Sequence, residues 1–425
     1  MNRNFFRLLL SAVLMMCCVS VWAETVTGVK YIDDKGVEQT LGYPATVVDN
    51  STTTLDAGWY IVTGELSTRT LTCNGDVHLI LADGAKLTAQ GWNSSPGVHV
   101  PGGRSRLTIY GQTNQTGELT ATGGEYCAGI GGGNYGFGSD ITINGGTVNA
   151  TGGEQGAGIG GGNYGFGSHI TINGGTVNAT GGDGGAGIGG GQGSAPSVGM
   201  DDGGETGSGY NILIFGGTVN ATGGDYGAGI GGGCNANGSN ISIYGGTVTA
   251  SGGDDASAIG GGDGRNIGSN IVVDADCRVL AGDNSTSTSE IKHNSDTDLA
   301  SDLSKHYAFI EIDQTLLKEL QCEAISAIDE AIIGVTDAYI LGIASKAKND
   351  IPNATSRKAI TSKKDAALAE LENLIKGFDL GKAEILGEMG TECDDCPAVR
   401  VTKGDKEVVL YAPDEVEMIK VHANE

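Results

Sequence analysis

Two columns of residues carry most of the chemistry available to this chain. The first is acidic. Glu125, Glu154, Asp183, Asp225 and Asp254 each stand five residues before an isoleucine of a recurring glycine block. Calcium takes about six to eight oxygen ligands, and these carboxylates with flanking carbonyls and Asn side chains are a candidate set for it. A solvated column of turn residues is the alternative. The second column is aromatic. Asn134-Tyr135-Gly136-Phe137-Gly138-Ser139 recurs verbatim at 163–168. Tyr135 over Tyr164, and Phe137 over Phe166, would form a flat platform of the kind that meets the apolar face of a sugar ring. Phenylalanines folded inward to pad a corner are the alternative here.

Catalytic sets are thin. No Lys or Arg occurs between Leu107 and Gly264. A lyase that removes a proton beside a uronate carboxylate needs a base of that kind, so lyase chemistry is disfavoured. A glycosidase needs two carboxylates flanking the scissile bond. Asp201-Asp202 and Asp254-Asp255 are the only acidic doublets in the glycine-rich region. Adjacent strand residues point opposite ways, so a doublet is not an acid/base pair. His169 is the only histidine among the regular repeats and reads as solvent-facing. Cys393 and Cys396 form the one CxxC. Zinc would need two further ligands, with only His422 nearby, so a local disulfide is the expectation.

Net charge is −26, from 25 Lys+Arg against 51 Asp+Glu. Nucleic acid is excluded as a partner, because binding it relies on cationic groups that release counterions. An anionic polymer would need a bridging cation. At the N-terminus Arg3 and Arg7 precede the apolar run Leu8 to Val19, and Val21-Trp22-Ala23 resembles a cleavage site. Residues 1–23 therefore read as a signal peptide, and the mature chain as exported.

The elements that must position these columns follow from an internal repeat. Glycine supplies 75 of 425 residues, far above the usual share of about 7%. Gly-Ile-Gly-Gly-Gly occurs at 129–133, 158–162, 187–191 and 229–233, and as Ala-Ile-Gly-Gly-Gly at 258–262. The steps are 29, 29, 42 and 29, so one repeat carries an insertion of 13 residues, roughly 193–208. Within a repeat, Ile170 and Ile172 alternate with polar residues, and Thr176-Val177-Asn178-Ala179-Thr180 is a second β-prone run. Strands this short bury nothing alone. Stacked, Ile130, Ile159, Ile188, Ile230 and Ile259 make one interior ladder, and Ile141, Ile170, Ile212, Ile241 and Ile271 another. The class is mainly β: a parallel β-solenoid of about 29 residues per rung at 46–313. Segment 24–45 is expected to cap one end, and Tyr307-Ala308-Phe309-Ile310-Glu311-Ile312 to close the other. Helical spacing then predicts a three-helix bundle at 314–378, as a spacer or a protein-binding module. Residues 379–425 read as a small β element with strands at 399–401, 408–411 and 418–421.

Gly58-Trp59-Tyr60-Ile61-Val62, Val77-His78-Leu79-Ile80-Leu81-Ala82-Asp83-Gly84 and Leu107-Thr108-Ile109-Tyr110-Gly111-Gln112, followed by the glycine blocks, carry a family resemblance. The chain resembles secreted bacterial proteins with a carbohydrate-binding domain. The resemblance implies a right-handed parallel β-helix, similar in fold to pectate lyases. It also implies a polysaccharide ligand, with calcium, and a place outside the cell or at its surface. The expected function is non-catalytic polysaccharide binding. A surface adhesin or stalk with a protein partner is the alternative.

Overall fold

The computed structural model describes residues 23–194, 206–263, 268–335, 337–354 and 357–378, with the backbone of 384–386, 398–403 and 406–411. Residues 1–22 of the expected signal peptide, Cys393 and Cys396, and the strand expected at 418–421 lie outside the described residues. The chain divides into two units between Asp313 and Gln314.

In the first unit one rung runs through three strands, Ile130–Gly131, Gly138–Ile143 and Thr147–Thr151. The following rung repeats them at Ile159–Gly160, Gly167–Ile172 and Thr176–Thr180. Pairing between rungs is parallel and in register: Ile130 on Ile159, Ile141 on Ile170, Val148 on Val177. The interval of 42 residues changes nothing, since Ile170 still meets Ile212 and Ile188 meets Ile230. The insertion therefore falls between the two ladders and shifts neither of them. The result is a right-handed parallel β-helix with a short-strand face, a long-strand face and a third face.

The core follows from alternation along each strand. Ile130, Ile141, Ile143 and Val148 are fully buried, and Ala150 nearly so, while Thr147, Asn149 and Thr151 face outward. The same positions are buried in rung after rung, so each becomes a ladder of like side chains. Burying each isoleucine is worth about 1.5–3 kcal/mol. The backbone must also turn immediately after the ladder isoleucine. Gly131, Gly160, Gly189, Gly231 and Gly260 do so with φ between 131° and 139°. A Cβ on Gly189 would collide with the Gly231 carbonyl oxygen of the next rung.

Both ends are closed by antiparallel strands. Thr25–Val26 pairs antiparallel with Ala45–Val47, which begins the parallel stack. The rest of the expected cap does more than close an end. The hairpin of Lys30–Ile32 and Glu38–Thr40 leads Val29, Leu41 and Ala45 onto the outer side of the first rungs. There they pack with Ile61, Ile80 and Tyr110 in a small second core. At the other end Tyr307–Ile312 lies antiparallel on Thr247–Ser251 and on Cys277–Gly282. Leu299 and Leu303 fill the end of the main core, with Ile259 donating its N–H to Leu303.

The second unit begins with α1 (Gln314–Ala331), α2 (Ala338–Asp350) and α3 (Arg357–Phe378). Ile328, Ile340, Ala344, Ile360 and Leu371 are among its buried residues. Asp337 caps α2 by accepting from the Tyr339 and Ile340 N–H groups. Strands Glu384–Leu386, Ala398–Lys403 and Lys406–Tyr411 form an antiparallel sheet. Glu384–Leu386 was not anticipated from the sequence.

These ladders make a graded prediction. Ile188→Ala should cost about 2–5 kcal/mol of stability. Gly189→Ala should cost no less, because it adds backbone strain to a collision. Denaturant unfolding measures both, and a loss below about 1 kcal/mol at Ile188 would contradict a packed ladder.

Candidate functional site

The aromatic corner lies between the short and long strands. In an earlier rung the single strand Leu71–Leu81 covers both faces without a break, pairing Leu71 with Val98 and Val77 with Leu107. Six steps separate Leu71 from Val77, whereas eleven separate Ile130 from Ile141. Five residues have thus been added to the corner without disturbing either register. They form a turn in which the Gly136 N–H donates to the Gly133 carbonyl at 2.7 Å and Tyr135 adopts φ 60°. A positive φ at the third position marks a type II turn, which ordinarily takes glycine or asparagine there. The following rung repeats it with Tyr164 at φ 59°. At the equivalent place two rungs later stands Asn235, also at φ 59°.

Stacked turns stack their rings. The Tyr135 and Tyr164 centroids are 5.2 Å apart at 20°, and those of Phe137 and Phe166 are 4.9 Å apart at 8°. Tyr135 is 69% exposed and Phe137 48%, and their partners are half-buried. The phenylalanines do not fold inward. Tyr210 extends this group, 6.1 Å from Phe166 and 6.3 Å from His169. Sequence reasoning missed it because the insertion hides its period. Counting back from Ile212 would have found it, since Tyr210 pairs with Ser168.

The acidic residues occupy a second corner. The Cys127 N–H donates to the Gly124 carbonyl at 3.0 Å, with Tyr126 at φ 65°. Equivalent turns begin at Gly153, Gly182, Gly224 and Gly253. Glu125, Glu154, Asp183, Asp225 and Asp254 are therefore the second residue of a type II turn in each rung, all exposed. Glu125 accepts from the Tyr126 hydroxyl and holds that phenol above its ordinary range. The carbonyls of Glu154, Asp183 and Asp225 are taken by the N–H groups of Tyr126, Gln155 and Gly184. Among the described residues no three His, Cys, Asp or Glu side chains converge as a metal site requires. The two corners are joined, since Asn163 donates to the Tyr126 carbonyl and Gln192 to that of Gln155, each at 2.9 Å. Acids and aromatic rings thus share one ridge.

The outer side of the long-strand face holds features the sequence did not announce. Asp140, His169, Asn211, Asn240 and Asn270 sit at φ 52–58°, each skipped by the strand pairing. Asp and Asn tolerate that conformation better than most residues. His169 is exposed, with the Asn211 amide 3.4 Å from its Nε2. Phe215 and Tyr244 stack at 4.9 Å and 10° at the far end of this face. At its N-terminal end Trp59 lies flat on His78 at 4.3 Å, and His78 Nδ1 is 2.9 Å from the Tyr110 hydroxyl. Burial lowers the His78 pKa and raises that of Tyr110.

Asp254 and Asp255 are consecutive residues of one exposed turn, and Asp201-Asp202 lies outside the described residues. Cys73 and Cys277 are buried thiols, each pushed up to about 12. That suppresses the thiolate a nucleophile needs.

The family model for the beta helix repeat matches residues 117–134, 141–163, 170–192, 212–234 and 241–263. The matches coincide with the regular rungs and skip the inserted segment. No curated protein and no solved structure matches the chain.

A tyrosine at positive φ gives a direct test of what the ring is for. Tyr135→Gly relieves backbone strain of about 1–2 kcal/mol and forfeits a ring contact of about 0.5–1.5 kcal/mol. Folding stability should therefore change by no more than about 1.5 kcal/mol in denaturant unfolding. A loss above about 2 kcal/mol would make Tyr135 a structural residue.

Proposed function

We propose that the solenoid is an exported, non-catalytic module that binds a neutral polysaccharide at the corner of Tyr135, Phe137, Tyr164 and Phe166. The observation that carries this reading is the pair of exposed ring stacks, 5.2 Å and 4.9 Å apart, on rungs that hold no Lys or Arg between Leu107 and Gly264. Parallel exposed rings offer an apolar plane, which suits the face of a sugar ring. The neighbouring carboxylates repel a polyanion, which selects a neutral chain. Export rests on the pattern of residues 1–23. Among the described residues no helix is long and apolar enough to cross a membrane.

A protein partner finds support in the helical unit alone. Ile333, Tyr339 and Leu341 are exposed there, Ile333 at 80%. In that second reading the three-helix unit docks another protein while the solenoid holds the glycan.

Two outcomes follow. Tyr135→Ala with Tyr164→Ala should weaken retention on a neutral polysaccharide affinity gel about tenfold, with folding intact. Unchanged retention would remove the aromatic corner from the reading. Calcium, in this reading, would only screen the acidic column, so chelator should leave glycan retention unchanged. The thermal midpoint of the protein should move by no more than about 2 °C between chelator and millimolar calcium. A larger rise would restore calcium as a structural ligand of Glu125, Glu154, Asp183, Asp225 and Asp254.

A further inference from the structure

Resting on the carbohydrate reading, we infer that Phe215 and Tyr244 are a second stacking platform for the same ligand, which must then be a long chain lying obliquely across the long-strand face. Phe215 and Tyr244 stand at the corner that follows the long strand, opposite the Tyr135 corner that precedes it. The two preceding rungs place Asn144 and Asn173 there, with Asn173 donating to Asn144 Oδ1 at 2.8 Å. The backbone bonds are the same in all four rungs, from the N–H of Asn144, Asn173, Phe215 and Tyr244 to Ile109, Ile143, Ile172 and Ile214. An asparagine therefore satisfies this corner, and the turn does not require aromatic rings. The rings are nevertheless parallel to within 10°, with Tyr244 38% exposed.

The two platforms are separated by a strand of six residues and by two rungs. That is about 20 Å along the strand and about 10 Å across it, too far for one or two sugar units. The floor between them carries hydrogen-bonding groups, Tyr210, Asn211 and Asn240 among them, with His169 and the Asp140 carboxylate at its edge. Rings at both ends, hydrogen-bonding groups between them and no Lys or Arg in the four rungs they span fit a neutral polysaccharide chain.

The test uses the whole chain. Affinity electrophoresis against β-glucan, xyloglucan, galactomannan and starch identifies the retained polymer. Titration calorimetry then compares that polymer with its hexasaccharide and disaccharide. Phe215→Ala with Tyr244→Ala should weaken polymer and hexasaccharide about tenfold and leave the disaccharide unchanged. Tyr135→Ala with Tyr164→Ala should weaken all three. Unchanged polymer binding in the Phe215/Tyr244 variant, with loss in the Tyr135/Tyr164 variant, overturns this inference and keeps the aromatic corner. Equal weakening of the disaccharide by the Phe215/Tyr244 variant also overturns it, because it makes the platforms independent sites. Retention of none of the four polymers by the unaltered protein sinks both readings. Should Phe215→Ala perturb folding, Tyr244→Ala alone carries the same comparison, and Tyr244→Phe should keep full affinity.

Discussion

Parallel strands in register lie about 4.8 Å apart, and every rung of this protein meets its neighbour at that spacing. Isoleucine above isoleucine becomes a continuous core, and Tyr135 above Tyr164 becomes a stack of rings. Glutamate above aspartate becomes a column of like charge, tolerable only because it stays in water. The same closeness dictates glycine after Ile130, Ile159, Ile188 and Ile230, where a carbonyl of the next rung occupies the space a side chain would need. What a residue does here depends less on its sequence neighbours than on its counterpart one rung away.

That is also why so much was legible beforehand. A period of 29 assigns each residue its counterpart without coordinates, so the ladders of Ile130 and Ile141 and the ring pairs could be read from spacing. What escaped were positions where one rung departs from the rest. Tyr210 replaces a serine, and Phe215 and Tyr244 follow asparagines, so neither forms a verbatim repeat. The acids and their place in a turn were visible, but the geometry of that turn was not. Type II geometry with Tyr126 or Gln155 at positive φ defies ordinary turn preferences. Nor did alternation reveal that Ile61 and Ile80, on the outer side of their strands, would be covered by the N-terminal hairpin. That burial depends on packing between remote segments.

The two ridge corners divide labour on a common frame. Each is a type II turn whose third residue holds a strained backbone. Strain of that kind persists when surrounding structure over-determines it, and here the ladder of backbone bonds does so. Side chains on the ridge are thereby free of folding duties, so surface chemistry can vary while the ladder beneath stays constant. The five residues added at the aromatic corner, and the larger insertion one rung on, show the same independence of corner and core.

The closing strand Tyr307–Ile312 has a consequence for inheritance. It docks on Thr247–Ser251, a strand whose sequence pattern is nearly that of every rung before it. Duplication of one 29-residue unit anywhere in the regular array would present the same docking strand at its end. Array length could then change by whole 29-residue units. A lineage could lengthen or shorten its displayed surface in single steps, with the terminal fastening reused unchanged.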